Sequence, residues 1–498
     1  MRLTTLTDEA RIALANIGDF AAGFVAPSLR LGVTGLSRAG KTVFITALVH
    51  NLVKGGRLPL FEPVSRGRLA RSFLEPQPDD AVPRFDYEAH VERLVAERLW
   101  PDSTRRISEL RVTIEFESAR YFARTLGRGR LHLDIVDYPG EWLLDLPLLA
   151  KGFAEWSAEA VALSRLEYRA ALAARWRAAL AETDPLGPED ETAARRLAAL
   201  FTDYLRAARA DEHALSTLPP GRFLMPGDLE GSPALTFSPL DLPAGVAVPP
   251  RSLAAMMERR YEAYKDVVVR PFFRDHFARL DRQIVLVDAL QALNAGPAAV
   301  ADLGQALSDI LACFRPGRAS WLSSILTRRV DRILFAATKA DHLHRTSHDR
   351  LEAILGRLVR GAMEKAAFAG AEVDVVALAA VRATREAIVT RDGEKLPAIL
   401  GVPLPGEGLG GEVFDGKEEI AIFPGDLPSD PDSLFQVLES MREGPESKSQ
   451  PAVAPAPDVE FVRFRPPRLE RTAEGLTLSL PHIRLDRVLQ FLLGDRLT

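Results

Sequence analysis

The residues best suited to chemistry form a glycine-rich loop that ends in a lysine and a threonine. The octapeptide GLSRAGKT, residues 35–42, matches the phosphate-binding pattern G-x-x-x-x-G-K-[ST] in full. An apolar run, 29–34, precedes it and a helical pattern follows, so that backbone amides and a helix N-terminus would surround a phosphate. Lys41 is expected to contact the β- and γ-phosphates, and the Thr42 hydroxyl to ligate Mg²⁺. The predicted phosphate-binding residues are Gly35, Ser37, Arg38, Ala39, Gly40, Lys41, Thr42 and Val43.

A second motif, DYPG, follows the apolar run 131–136. Asp137 is expected to hold Mg²⁺, directly or through water, and the Gly140 N–H is expected to face the γ-phosphate. Taken alone, this tetrapeptide is equally typical of a Pro-Gly turn that leaves a strand. Asp288 closes another apolar run, 284–290, but no glycine follows it at the required offset, so we interpret it as a lesser site or a structural cap.

A third motif, TKAD at 338–341, would select the base. The Asp341 carboxylate could accept hydrogen bonds from both N1–H and N2–H₂ of guanine, a pattern that adenine lacks. The aliphatic stem of Lys339 could cover the face of the base. Because the three motifs occur in the order typical of GTP-binding domains, each at a strand end, they favour guanine. The predicted base-binding residues are Thr338, Lys339, Asp341, Ala380 and Val381, the last two through their backbone.

Two residues near the predicted γ-phosphate are candidates for hydrolysis besides Lys41. Glu141 stands where Ras-like GTPases carry a glutamine that orients the attacking water, although repulsion from phosphate makes a solvated helix start the alternative. Arg38 occupies the fourth place of the phosphate loop, and GLSRAGKT is similar to the loops of guanylate-binding proteins and atlastins. In those proteins an arginine at this place acts as a finger in cis on dimerisation. The same role is a hypothesis for Arg38, and the alternative is an Arg38 side chain that points to solvent.

Switch I must lie between the phosphate loop and the alternating run 109–117. Thr104, in WPDST, is the candidate to close on Mg²⁺ and the γ-phosphate, and Ser103 is the next choice. The alternative role is a cap or turn hydroxyl. The predicted catalytic set is therefore Lys41, Arg38, Glu141 and Thr104, and the predicted metal ligands are Thr42, Asp137 and Thr104.

Strands that alternate with helices predict an α/β fold with a mostly parallel sheet of about six strands, in which 109–117 is the one antiparallel strand. The predicted parts are an N-terminal helix (1–28), a first core part (29–140), a helical insertion (141–282), a second core part (283–390) and a β-rich C-terminal appendage (391–498). The appendage includes a stretch of disorder-like composition at about 443–458. It ends in an amphipathic helix that we expect to dock on the core, with a membrane surface as the alternative.

Composition narrows the function classes. The chain has 498 residues, 63 basic and 68 acidic, and a formal net charge of -5, which makes a case for nucleic-acid binding weak. The single cysteine, Cys313, excludes an intramolecular disulfide and a cysteine-rich zinc site, and fits a reducing compartment. No uninterrupted apolar run of about 18 residues occurs. We therefore expect a cytoplasmic protein, with contact at the inner membrane as a further option.

Over nearly its whole length the chain resembles the YcjX-like family of P-loop GTPases. The resemblance rests on GLSRAGKTVFITALVHNL, DYPGEWLLDLPLL, TKADHL, ALAAVRATRE and PHIRLDRVLQFLLGDRL. It implies a Ras-like core with large insertions, binding of GTP and GDP with Mg²⁺, and a bacterial stress-associated role.

These observations predict a Mg²⁺-dependent GTP-binding protein that hydrolyses GTP slowly and switches conformation. One alternative is a nucleotide-gated scaffold whose hydrolysis is negligible without a partner, which Glu141 in place of glutamine favours. The other is an ATPase, against which Asp341 argues. The expected partners are a guanine nucleotide, an unidentified protein and, on nucleotide binding, a second copy of the chain.

Overall fold

The computed structural model describes residues 27–434, 461–469 and 479–498, apart from 37, 103, 105, 120–128, 211–212, 218, 244, 313–329, 369, 392 and 410. The helix predicted within 1–28, the linker predicted at 443–458, and the site candidates Ser37 and Ser103 lie outside these residues.

A seven-stranded sheet forms the centre of the fold, in the order β2-β3-β4-β1-β5-β6-β7. Its strands are β1 (Ser28–Gly35), β2 (Leu69–Glu75), β3 (Ser108–Phe116), β4 (Gly129–Asp137), β5 (Arg282–Val287), β6 (Arg332–Ala337) and β7 (Glu372–Ala377). Neighbouring strands from β4 to β7 pair in parallel, whereas β3 is antiparallel to both β2 and β4. The prediction of one antiparallel strand near 109–117 is confirmed.

The sheet has seven strands where about six were predicted, because the edge strand β2 was not recognised. Its sequence, LARSFLE, has no alternation of apolar and polar residues, and Ser72 is its one buried side chain. An edge strand that buries so little of itself leaves no hydrophobic period to detect.

Two predicted strands also end earlier than expected. β5 stops at Val287 rather than 290, because the Asp288 carboxylate accepts the Gln291 N–H at 3.1 Å and caps a helix. The interpretation of Asp288 as a structural cap is confirmed. β7 stops at Ala377 rather than 381, and the remaining apolar residues form a loop that lines a cavity.

Successive side chains of the central strands alternate between two cores, as both faces of a covered parallel sheet require. On β5, Ile284 and Leu286 face one core and Val285 and Val287 face the other. The first core contains the helix α1 (Lys41–Val53), which follows the phosphate loop. The second core continues into the helical insertion.

The insertion is helical, as predicted, and it begins with an 11-residue 3-10 segment, Gly140–Ala150. Shorter 3-10 turns occupy much of the Pro- and Gly-containing stretch before its last helices.

Besides α1, the α-helices of the described residues, in chain order, are α2 (Glu62–Ser65), α3 (Tyr87–Glu92, continued by a π-helical turn, Arg93–Glu97), α4 (Phe153–Ser164), α5 (Glu167–Ala170), α6 (Ala174–Ala181), α7 (Glu191–Ala208), α8 (Leu253–Tyr264), α9 (Arg270–Asp275), α10 (Ala289–Ala295), α11 (Pro297–Ala312), α12 (His348–Phe368) and α13 (Leu485–Leu493).

The appendage contains a small antiparallel sheet of β8 (Arg385–Arg391), β9 (Glu394–Gly401) and β12 (Ile420–Ile422), and a two-residue pair, β10 (Gly408–Leu409) and β11 (Glu412–Val413). The β8–β9 hairpin begins before the predicted appendage boundary at 391.

The terminal helix α13 docks on the core, as expected. Leu485, Val488, Leu489 and Leu492 are fully buried and belong to the same core as α1. None of the helices in the described residues is long and apolar enough to cross a membrane.

Candidate nucleotide-binding site

The phosphate loop joins the carboxyl end of β1 to the N-terminus of α1, as the motif predicts. Gly40 has φ 82°, a left-handed conformation that glycine adopts without steric cost, directly before the helix begins at Lys41. Gly140 packs against the opposite side of the loop, since a Cβ there would collide with the carbonyl oxygen of Gly35. DYPG therefore lies beside the phosphate loop, and a larger residue at its last position would push the two apart.

Lys41 is buried, with 7% of its surface exposed, and its Nζ donates to the Gly35 carbonyl at 3.0 Å. Burial lowers the pKa of the Lys41 ammonium, and the nearby carboxylates of Glu141 and Asp137 partly oppose this effect. A desolvated cation at the start of a helix is suited to an anionic ligand, because a phosphate would replace the charge stabilisation that water no longer provides.

Three oxygen-bearing side chains meet next to Lys41. The Thr104 hydroxyl donates to Asp137 Oδ2 at 2.8 Å, and the hydroxyls of Thr104 and Thr42 lie 3.2 Å apart. The other carboxylate oxygen, Asp137 Oδ1, is buried and has no hydrogen-bond partner among the described residues. Burial raises the pKa of Asp137 to about 6, although Lys41 and the Thr104 hydrogen bond lower it. A buried carboxylate oxygen without a partner, beside two hydroxyls, is a donor set that fits Mg²⁺.

Glu141 is the second residue of the 3-10 segment, yet it is 4% exposed and lines the same cavity as Lys41. The alternative of a solvated helix start was therefore wrong. The backbone of the insertion packs directly on this residue, since a Cβ at Gly221 would collide with the Glu141 carbonyl. That packing keeps the Glu141 backbone out of water.

Arg38 has φ 62° and an exposed side chain. It lines the main cavity and also a smaller one that includes Arg209 and Asp288. Arg38 therefore lies at the rim of the main cavity, between the phosphate loop and the insertion.

At the other end, Asp341 is 4% exposed and its Oδ2 accepts the Ala383 N–H at 2.8 Å. Lys339 has φ 61°, and its ammonium forms an ion pair with the Asp288 carboxylate. The Thr338 N–H donates to the Val287 carbonyl at 2.9 Å, which ties the motif to the neighbouring strand end. These contacts fix the backbone that presents Asp341 to the cavity.

One cavity of about 380 Å³ joins the two ends. Predicted site residues that line it are Arg38, Ala39, Gly40, Lys41, Thr42, Val43, Thr104, Glu141, Thr338, Lys339, Asp341, Ala380 and Val381. Gly35, Asp137 and Gly140 are not part of the lining. They lie behind it, in contact with Lys41 or Thr104.

Several lining residues were not predicted. They are Phe44, Trp100, Pro101, Asp102, His342, Leu378, Ala379, Leu404, Arg463 and Phe464. Trp100 could have been found as an aromatic residue four positions before Thr104. Leu404, Arg463 and Phe464 belong to the appendage, and no local pattern links them to a nucleotide motif.

The closing segment of the chain, 479–498, ties both ends of the site together. The side-chain amide of Asn51, near the end of α1, exchanges two hydrogen bonds with the Leu480 backbone, at 3.0 and 3.1 Å. Ile483 exchanges two backbone hydrogen bonds with Ala379, at 2.8 and 3.2 Å. The helix of the phosphate loop and the loop beside the base motif are thus held by one segment.

Asp145 connects the 3-10 segment at the start of the insertion to later parts of the insertion. Its carboxylate accepts the Gly221 N–H and the Tyr264 hydroxyl, each at 2.6 Å. Burial raises the pKa of Asp145 to about 6. The Arg222 guanidinium lies 3.3 Å from the centroid of the Trp142 ring, a cation–π contact between the same two parts. The 3-10 segment is therefore held against the later parts of the insertion by buried polar and aromatic contacts.

Comparison with known proteins gives the following matches. Residues 29–497 match the family model described as "YcjX-like family, DUF463". The chain is 38% identical, over 94% of its length and 96% of the relative's, to a protein of Escherichia coli named Ras-like GTPase YcjX. It is 33% identical, over 94% of both chains, to a protein of the same name from Shewanella oneidensis.

Proposed function

The chain belongs to the YcjX-like family, and from this premise we propose that it is a GTPase that binds GTP and GDP with Mg²⁺, hydrolyses GTP slowly and changes conformation with the bound nucleotide. The names of the two relatives support a GTPase-type function. The observation that carries the proposal is the cavity that joins the phosphate loop, Thr104 with its hydrogen bond to Asp137, and the guanine motif.

Each part of the cavity has a role in the proposal. The loop amides and the Lys41 ammonium hold the phosphates, and the Asp341 carboxylate accepts hydrogen bonds from guanine. Thr42, Thr104 and Asp137 would hold Mg²⁺, which when bound neutralises charge on the β- and γ-phosphates. Since Asp137 Oδ1 lacks a partner among the described residues, the donor set fits that ion.

Glu141 and Arg38 are the proposed hydrolytic groups. The buried Glu141 carboxylate lies close enough to Lys41 to raise the pKa of the ammonium, so it can accept a hydrogen bond from a water next to the γ-phosphate. Arg38, at the rim of the cavity, can place positive charge beside the phosphoryl group as it is transferred. A second copy of the chain that covers this rim would enclose the exposed Arg38 side chain.

The second candidate function is a nucleotide-gated scaffold with negligible hydrolysis of its own. The Asp145 contacts favour it, because they connect the segment after DYPG to a helical insertion large enough to engage a partner protein. In both versions the bacterial stress-associated role, the cytoplasmic location and contact at the inner membrane stay predictions.

The test is turnover of GTP and of ATP with Mg²⁺ over a range of protein concentrations, with Lys41→Ala as the control. Turnover that is selective for GTP supports the GTPase, and a rate per molecule that rises with concentration supports the dimer and Arg38. GTP binding that depends on Lys41 without turnover supports the scaffold. Turnover of ATP at the rate of GTP would contradict the guanine assignment.

A further inference from the structure

Three parts of the chain that carry no nucleotide motif meet at the base end of the cavity. Beside Asp341, the lining includes Trp100, Leu404 and Phe464. Trp100 lies in the loop that also carries Thr104, and Phe464 lies in a short extended segment of the appendage, 461–466, here called the strap.

The strap holds Trp100 in place. The indole N–H of Trp100 donates to the Phe464 carbonyl at 2.7 Å, across 364 residues of sequence. Next to it, the Arg98 guanidinium donates to the Pro466 carbonyl at 3.2 Å. Because the indole has a single N–H, this bond sets the orientation of its ring.

The strap also contacts the residue that follows the guanine motif and another part of the appendage. The Phe464 ring meets the ring of His342, the residue after Asp341, edge to face with 5.5 Å between centroids and 88° between planes. The Leu404 N–H donates to the Arg463 carbonyl at 2.7 Å. The strap therefore contacts both His342, next to the motif expected to select the base, and Trp100, in the loop expected to sense the γ-phosphate.

We propose that Trp100 is a nucleotide-binding residue that packs on the guanine base, and that the strap is the positioning element that holds its ring there. The inference rests on the proposed function, since it requires guanine in this cavity. Trp100 is half-buried and lines the cavity, and nucleobases stack favourably on such rings. An extended chain from Trp100 to Thr104 spans about 13 Å, enough for one loop to cover a nucleotide from the metal ligands to the base.

The experiment measures the rate at which GDP leaves the full-length protein. Trp100→Ala removes the ring, and Trp100→Phe keeps an aromatic ring but removes the N–H that donates to the Phe464 carbonyl. The matched control is Ile422→Ala, because Ile422 shares an apolar cluster with Phe464, is 3% exposed and is not among the residues that line the cavity. It measures how far loosening the appendage alone affects release.

We expect Trp100→Ala to release GDP faster by on the order of tenfold or more, as loss of one base–aromatic stack predicts. Trp100→Phe should show a smaller increase, and Ile422→Ala should stay within about twofold of the wild type. Equal rates for Trp100→Ala and Ile422→Ala would overturn the proposal, because loosening of the appendage would then account for the whole effect.

Tryptophan fluorescence gives a readout that a purely structural role would not change. The chain has five tryptophans, and stacking of Trp100 on the base predicts that GDP quenches part of their emission. Trp100→Phe should lose most of that quenching while it still binds GDP. Undiminished quenching in Trp100→Phe would overturn the proposal.

The two levels of inference fail in different ways. If the wild type binds no GDP, the proposed function fails. If the wild type binds GDP in a manner that Lys41→Ala abolishes, but Trp100→Ala releases it at the control rate, this inference alone fails.

Discussion

The two ends of the cavity are built by different kinds of chain segment. At the phosphate end, most of the lining comes from one short stretch, 38–44, completed by Thr104 and Glu141. At the base end, Asp341 and the loop 378–381 are joined by Trp100, Leu404 and Phe464, which come from distant parts of the chain.

Under the proposed function, the difference follows from the part of the nucleotide that each end would bind. A phosphate is satisfied by backbone N–H groups and one ammonium, which a strand–loop–helix unit supplies locally. A base presents an edge and two faces, and enclosing them requires surfaces from several directions. In this chain the strap contributes Phe464 to the base end, and the closing segment 479–498 holds the neighbouring loop through Ala379.

The largest effect is expected from Lys41→Ala, which should lower kcat/KM for GTP by at least about 10⁴-fold, since it removes a desolvated charge from both the bound and the transition state. The loss should be similar for GTP and for inosine triphosphate, because Lys41 lies at the end that does not contact the base. Steady-state kinetics with both nucleotides measures this. A loss of kcat/KM that differs between GTP and inosine triphosphate would contradict the placement of Lys41 at the end away from the base.

Arg38→Ala should lower GTP turnover by about 10³-fold while GDP affinity changes little, as a group that acts on the transferred phosphoryl predicts. Single-turnover hydrolysis and GDP titration separate the two effects. Arg66→Ala is the control, because Arg66 is an exposed arginine whose ion pair with Glu62 lies outside the cavity lining. Equal loss of affinity and turnover in Arg38→Ala would contradict this role.

Asp341→Asn should weaken GTP by about 100-fold and favour xanthosine triphosphate, because an amide can donate to the oxygen that replaces the guanine amino group. Competition binding with the two triphosphates measures the preference. A general loss of both nucleotides would indicate a collapsed loop, since Asp341 Oδ2 also accepts the Ala383 N–H. Unchanged GTP preference would contradict the guanine assignment.

The same contrast explains how much of the site could be predicted from the sequence. GLSRAGKT, DYPG and TKAD each lie within a few residues of one strand end, so their type and order predict the side of the sheet on which they meet. Thr104 was placed from the requirement that a hydroxyl close on Mg²⁺, and the structure brings it to 2.8 Å from Asp137.

Contacts between distant segments could not be predicted in this way. Phe464 has the sequence character of an ordinary apolar residue in an extended stretch, and nothing within its neighbourhood in sequence indicates that it lies beside His342. The edge strand β2 was not predicted for a related reason, because the burial of its residues follows from the neighbouring strand and not from an alternation of apolar and polar residues in its own sequence. The solvated alternative for Glu141 was wrong because Gly221, 80 residues further along the chain, packs against the Glu141 backbone.

The smallest expected effect concerns the connection of the phosphate end to the insertion. Because burial raises the pKa of Asp145 to about 6, above its value in the unfolded chain, the folded state favours the protonated form. The stability that protonated Asp145 contributes is complete below about pH 4 and is lost as the pH rises through about 6. Relative to Asp145→Asn, the wild type should lose about 1 kcal/mol of unfolding free energy between about pH 5 and pH 7. Urea unfolding of both proteins at the two pH values measures this difference.

An Asp145→Asn variant whose stability follows the wild type at both pH values would show that Asp145 titrates alike in the folded and unfolded chains. The phosphate end would then lack the pH-dependent buried contact that Asp145 is expected to provide.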